Sequence, residues 1–290
     1  SRGPVIGAND RDYIVWKGFT INEANARSRP DTGPVVLWST VGSAIEDCTI
    51  DGNGDPGYGD NHTGIRAEGS SQLRIRNNTI RNVRTSGING VNGAAIQFYT
   101  TGGVVIENND LSDSGSGVWI KAPMEQTGFY EVRNNLIRNT GKGVAVHRSP
   151  NTAAAPVRIY QNVITNSDQA VVIWMFDAAT GPRNVKVVNN TIYGAQVGLF
   201  MNGEVISGAG HIFWNNVVAN TSQYAINWAA AVAAMTPDRL DVEHNVYSGF
   251  GRFAIVWDAD HSFSSWQTSF NQDAASPASV SANPLFSNAS

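Results

Sequence analysis

The chain has 290 residues, only 15% of them charged, with 29 glycines, one cysteine and a formal net charge of −4. That balance leaves no basic footprint for nucleic acid. No apolar run approaches the length of a membrane-spanning helix, and a lone thiol rules out an internal disulfide.

A repeat organises the sequence. An Asn precedes a short apolar run at Asn78, Asn109, Asn135, Asn162, Asn190, Asn216 and Asn245, in steps of 26 to 31 residues by subtraction. Cys48 occupies an earlier position in the same register. A period in this range means stacked supersecondary units rather than one globular core. Around each Asn the text alternates apolar and polar residues, as in LRIRNNTI, YEVRNNLI and VKVVNNTI, which is the period of strands. The expected fold is all-β: a single-domain right-handed parallel β-helix over residues 1–257, of about eight to nine rungs. The repeated Asn is expected to sit at a left-handed corner and to form an amide ladder between rungs about 4.8 Å apart.

In chain order, the first rung lies near DYIVWKGFTI at 12–21, so the open N-terminal end is expected to be covered by further protein or a partner. The polar loop DGNGDPGYGDNH at 51–62 offers Asp51, Asp55, Asp60 and Asn61, which could hold calcium. Its spacing is not that of an ordered calcium loop, and simple turn chemistry is the preferred reading. A second strand then recurs in each rung: PVVLW (34–38), GIRAE (64–68), AIQFY (95–99), GVWIK (117–121), GVAVH (143–147), AVVIW (170–174), GLFMN (198–202), AINWA (225–229) and AIVWD (254–258).

Alternation sends Ile65, Ala67, Ile96, Phe98, Val118, Ile120, Val144, Val146, Val171, Ile173, Leu199 and Met201 inward. The residues between them form two outward columns. One runs Val36, Arg66, Gln97, Trp119, Ala145, Val172, Phe200, Asn227; the other runs Trp38, Glu68, Tyr99, Lys121, His147, Trp174, Asn202, Ala229, Asp258. Tyr99, Lys121, His147 and Trp174 should therefore stand on four consecutive rungs, with Arg148 just after His147. Aromatic and basic side chains on a long flat face suit a sugar chain, whose apolar ring faces stack on Trp and Tyr. Candidate binding residues are Arg66, Glu68, Gln97, Trp119, Trp174, Asp177 and Asn202. Turn-rich insertions at 121–130, 147–157 and 174–184 should wall the face as a groove. Beyond the solenoid, 258–290 reads as a capping segment, with a short helix near 263–270 begun by Ser262.

The stretch GVWIKAPMEQTGFYEVRNNLIRNTGKGVAVHR at 117–148 resembles the active-site region of the β-helical polysaccharide lyases, above all the alginate and chondroitin/dermatan lyase group. The likeness covers about thirty residues; elsewhere the chain resembles the broad pectate-lyase-like superfamily through its repeats. In that group a strand Lys is the base and an Arg one rung later the acid. The resemblance implies Lys121 as base and places the acid position on His147, with Arg148 one residue further on. The group's acidic calcium ligands have no match, since Ser114 and Ser116 stand before Lys121. Other signatures of the superfamily, the paired Asp with Gly-His-Gly of polygalacturonases and the Asp-Pro-His-Glu of mannuronan epimerases, are absent.

The expected activity is β-elimination in an acidic, uronic-acid-containing polysaccharide. That reaction needs a cation on the carboxylate, a base for the neighbouring C5 proton and an acid for the leaving oxygen. Lys121, His147, Arg148 and Tyr99 are the candidates, with base and acid not separable at this stage. A glycoside hydrolase would need two carboxyl groups, for which Glu68 with Asp60, Asp177, or Asp258 with Asp260 are the candidates. A non-catalytic, adhesin-type sugar binder is the third reading. No cofactor beyond the calcium option is implied, and a secreted bacterial setting is expected.

Overall fold

The computed structural model describes residues 5–22, 33–52, 54, 62–84, 93–123, 128–147, 156–174, 184–202, 210–229, 240–274 and 280–281. Three sheets of 11, 9 and 10 strands run along the molecule, and each takes every third strand of the chain. Every neighbouring pair is parallel, except that Ala259–His261 folds back antiparallel on Arg252–Val256 at the C-terminal edge. The chain is thus a right-handed parallel β-helix, each coil adding one strand to each sheet. Among the described residues no helix is long and apolar enough to cross a membrane.

The interior is built from stacked aliphatics. The second sheet contributes Ile45, Ile75, Ile106, Val132 and Ile159, and the third contributes Ile50, Ile80, Leu111, Ile137 and Ile164. All twelve residues assigned inward on the first sheet lie in this core. Equivalent positions in successive coils pair directly, as in Ile96 with Ile65 and Val118. Each strand therefore buries its apolar side against the same residue type above and below.

The Asn ladder runs unbroken from Asn78 to Asn245. Asn162 shows the pattern: its Oδ1 accepts from both the backbone N–H and Nδ2 of Asn135 at 3.0 Å. Its own Nδ2 donates to Asn190 Oδ1 at 3.0 Å and to the Val132 carbonyl at 2.8 Å. Cys48 ends the ladder, its N–H donating to Asn78 Oδ1 at 2.9 Å and its thiol to the Glu46 carbonyl at 3.2 Å. One expectation is corrected. The left-handed residue is not the ladder Asn but the one before it: Asn77, Asn108, Asn134, Gln161, Asn189, Asn215 and His244 all have φ between 53° and 61°. The exposed residue takes the strained backbone, which frees the ladder side chain to point into the core.

On the outer faces of the second and third sheets, charges cancel between coils. Arg76 meets Glu46 at 2.8 Å, Arg133 meets Glu107 at 2.7 Å, Arg81 meets Asp51 at 2.8 Å and Arg138 meets Asp110 at 2.9 Å. At the C-terminal end a helix spans Phe263–Phe270, and Ser262 accepts from the Ser265 N–H as its N-cap. Trp266 is its buried anchor, packed on Phe253 and donating to Asp273 at 3.0 Å.

Candidate functional site

The outer face of the first sheet differs from the other two. Strands Thr63–Glu68, Ala94–Thr101, Ser116–Pro123, Lys142–Val146, Gln169–Trp174 and Val197–Asn202 lie side by side there. Arg66, Gln97, Trp119, Ala145, Val172 and Phe200 pair in one column, as alternation requires. Ala94, Trp119, Ala145 and Val172 form a second buried apolar cluster on this face, with Trp174 and Phe200 packed against it.

Cations and aromatic rings alternate along it. The Arg66 guanidinium lies 4.7 Å from the centre of the Tyr99 ring. Lys121 Nζ lies 5.2 Å from Tyr99 and 4.4 Å from Trp119. Lys142 Nζ follows, 4.7 Å from Trp119 and 5.0 Å from Trp174. His147 stands edge-on between the two indoles, 4.7 Å from Trp119 and 4.9 Å from Trp174. The carboxylate in this run is Glu68, whose Oε2 accepts from Arg66 Nη2 and from Trp38 Nε1, both at 3.1 Å.

Burial divides the cluster into two layers. Trp119 is 1% exposed, His147 3% and Lys142 4%, whereas Tyr99, Lys121 and Trp174 keep partial exposure. Burial, with the Lys121 ammonium as the second cause, brings the Lys142 amine down to about 8. Gln97 is wholly buried, and neither end of its amide has a hydrogen-bond partner among the described residues. Such an amide is costly to leave open, and together with the crowded cations it points to a polar ligand.

The structure therefore brings together Arg66, Glu68, Gln97, Tyr99, Lys121, Trp119, His147 and Trp174, and pairs Asn202 with Trp174 on the next strand. It also changes several expectations. Trp119 is a buried floor rather than a stacking platform, because two lysines and His147 already occupy its ring. Lys121 falls in a bulge: Phe98 pairs with Ile120 but Tyr99 with Ala122, so Tyr99 and Lys121 are not backbone partners. Their side chains still meet. Asp258 and Asp260 belong to the C-terminal hairpin, where Asp260 pairs with Arg252 at 2.7 Å. Asp51 is taken by Arg81 and Asn82, and Ser114 by the Ser112 carbonyl and the Val83 N–H. Arg148, Asp177, Asp55, Asp60, Asn61 and most of the three insertions lie outside the described residues.

Lys142 is the member that alternation missed. Counting back from Val144 and Val146 gives it inward parity. Gly143, inside the strand Lys142–Val146, breaks the count: a Cβ there would meet the Ala170 carbonyl and, at 2.7 Å, the Ile164 Cγ2. Two successive residues therefore face inward and Lys142 is turned out. The signal in the sequence was the pair of glycines flanking it.

Residues 34–233 match the model of the NosD family, described as periplasmic copper-binding protein. That match spans most of the chain, and the chain belongs to this family. No curated protein matches the sequence. Among solved structures, the fold is similar to a hyperthermoactive exopolygalacturonase of Thermotoga maritima (TM-score 0.58, 16% identity, 80% of this chain and 53% of that one). It is also similar to a tailspike mutant of Escherichia coli bacteriophage HK620 (TM-score 0.60, 11% identity, 85% and 44%). A further tailspike mutant from that phage, in complex with a pentasaccharide, has a TM-score of 0.53 at 12% identity, over 88% of this chain and 45% of that one. The chain spans about half the length of these structures. At such identities the likeness is one of fold.

The family description implies copper, and no set of His, Cys, Asp or Glu side chains among the described residues fits it. Among the described residues no three His, Cys, Asp or Glu converge. The Cys48 thiol is buried in the ladder. His147 stands in a cluster with two lysines, which disfavours a cation, and His244 and His261 stack separately on Trp214 and Phe270.

Proposed function

We propose that this protein binds an acidic, uronic-acid-containing polysaccharide across the outer face of the first sheet and cleaves it by β-elimination. The observation that carries the reading is that Lys121 and Lys142 share the Trp119 ring, with Arg66 two strands away. On the other two sheets arginines are cancelled by carboxylates one coil away. Here Lys121 and Lys142 crowd one buried ring, an arrangement that an anion stabilises.

The roles follow from the layers. Lys121, in the upper layer, neutralises the sugar carboxylate and so acidifies the neighbouring C5 proton, with Arg66, paired to Glu68, further along the face. Tyr99, against Lys121, is placed to protonate the leaving oxygen. Trp174 and Asn202 offer a half-exposed ring and an amide for the next sugar along the face. His147 holds the two indoles apart. A hydrolase needs two carboxyl groups, whereas among the described residues the cluster supplies Glu68, engaged by Arg66 and Trp38. The family description and the sugar-related proteins of the same fold support a setting outside the cytoplasm.

The test is to incubate the protein with polygalacturonate, alginate, hyaluronan and chondroitin, following ultraviolet-absorbing unsaturated ends alongside reducing ends. Both signals should rise together on at least one polymer. Reducing ends without absorbance would show hydrolysis; binding with neither signal would show a carbohydrate-binding module.

A further inference from the structure

The chain has eight tryptophans. Two of them are exposed, Trp38 at 37% and Trp257 at 56%. A single exposed apolar side chain is ordinary. These two, however, stand at the two ends of one outward row on one sheet. Trp38 pairs with Glu68 and Glu68 with Tyr99, at the near end of the row that leads on to Lys121, His147 and Trp174. Trp257 closes the row at the far end. Its backbone N–H donates to the Trp228 carbonyl at 3.2 Å, as that of Ala229 does to Met201 at 2.8 Å and that of His147 to Ile120 at 2.9 Å. The bond recurs because each of these residues directly follows an inward one, Val256, Trp228 or Val146, in the core. All three therefore leave by the outer wall. Counting along the repeated text put Asp258 in this row, and the pairing of Trp228 with Val256 moves the place to Trp257.

We propose, on the reading of this face as a saccharide site, that Trp257 is its far stacking subsite. The ligand is then a long acidic chain laid along the solenoid axis, with charged units over Lys121 and one ring face on Trp257. Three strand spacings separate Trp174 from Trp257, roughly 14 Å, and five separate the strand of Lys121 from Trp257, roughly 24 Å. A pyranose in an extended chain is about as long as one spacing, so this span takes a chain of roughly six units.

The path between the two indoles is open. Along the row it holds Asn202 and Ala229, and Asn227 stands in the neighbouring column beside Phe200. The amides suit sugar hydroxyls, and an exposed indole supplies the flat apolar surface that a pyranose ring covers. Charge does not recruit a sugar at this end. Asp258 follows Trp257, and Arg252 is held by Asp260 at 2.7 Å. Stacking fixes that unit, so its contribution resists salt, whereas pairing with Lys121 is screened.

The experiment is calorimetric titration of the full chain with tetrasaccharides and decasaccharides prepared from polygalacturonate, alginate, hyaluronan and chondroitin. A Tyr99→Phe background removes the proposed proton donor and keeps the oligosaccharides whole. From at least one polymer the decasaccharide should bind at least ~tenfold tighter than the tetrasaccharide. Trp257→Ala should erase most of that gain, at low salt and near ~0.5 M salt alike, and leave the tetrasaccharide within about twofold. Trp257→Phe, which keeps a ring, should restore most of it. Thermal melts of both variants should match the parent, because the side chain is exposed. A decasaccharide that binds Trp257→Ala as tightly as the parent, or that gains nothing over the tetrasaccharide, would overturn the subsite, and unsaturated ends from wild-type protein would then leave the lyase reading standing. A Trp257-dependent gain with no unsaturated ends from any polymer would keep the subsite and remove β-elimination.

Discussion

The ammonium groups of Lys121 and Lys142 lie 4.4 and 4.7 Å from the centre of one indole, that of Trp119. Each contact alone is a favourable cation–π pair of about 0.5–2 kcal/mol. Together they set two like charges around a buried ring, which costs stability that a structural cluster would not need to spend. On the second and third sheets the same chain pairs Arg76, Arg81, Arg133 and Arg138 with carboxylates one coil away. The contrast supports the proposal that the first sheet binds an anion.

Stability should respond to the Lys142 proton. In the unfolded chain Lys142 titrates near its ordinary value of 10.5, and in the folded protein at about 8. Below pH 8 both states carry the proton and the folded state bears the full cost of burying it. Between pH 8 and 10.5 the unfolded chain binds more protons, so this residue's contribution becomes more favourable as pH rises. Lys142→Met should therefore be more stable than wild type at pH 7, by on the order of 2 kcal/mol. The gap should close by about pH 10 in urea denaturation. A gap constant with pH would contradict this.

Trp119 should behave as core although it lies outside the solenoid interior. Trp119→Ala should cost about 3–5 kcal/mol in urea denaturation. Trp38→Ala, at the exposed edge of the same face, should cost under about 1 kcal/mol. Equal losses would mean that the second apolar cluster contributes nothing of its own.

Neighbouring residues at one corner should give opposite results. Asn162→Ala removes the acceptor of the buried Asn135 N–H and a donor to the Val132 carbonyl and should cost about 3 kcal/mol or more. Gln161 is exposed at φ 56°, so Gln161→Gly should relieve backbone strain and raise stability by up to ~1 kcal/mol. Thermal melts of the two variants make the comparison.

Glu68 restrains the cation at the entrance to the face. Glu68→Gln should free Arg66 and tighten binding of a uronate oligosaccharide by about three- to tenfold at low salt, an effect mostly lost near ~0.5 M salt. Calorimetric titration at the two salt concentrations reads both.

The solenoid was legible because its period is written many times over. Seven Asn and the alternating strands placed the core, the parallel coil and the outward columns. The site was legible where strict alternation held: Arg66, Gln97, Trp119 and Trp174 emerge where counting puts them. It failed at the two irregular points. Gly143 at the start of its strand turned Lys142 outward against its parity, and the bulge at Lys121 shifted the partner of Tyr99. The depth of the cluster was also hidden. Alternation says which wall a side chain leaves by, not whether neighbours from adjacent coils then bury it, as they do for Trp119 and His147.

A crystal structure of the Lys142→Met protein with an acidic oligosaccharide tests the central claim most directly. The sugar chain should lie across the strands Ala94–Thr101, Ser116–Pro123 and Lys142–Val146, with one carboxylate within hydrogen-bond reach of Lys121 or Arg66. Oligosaccharide bound on the second or third sheet, or lying on the first sheet with its carboxylates turned away from both cations, would contradict it.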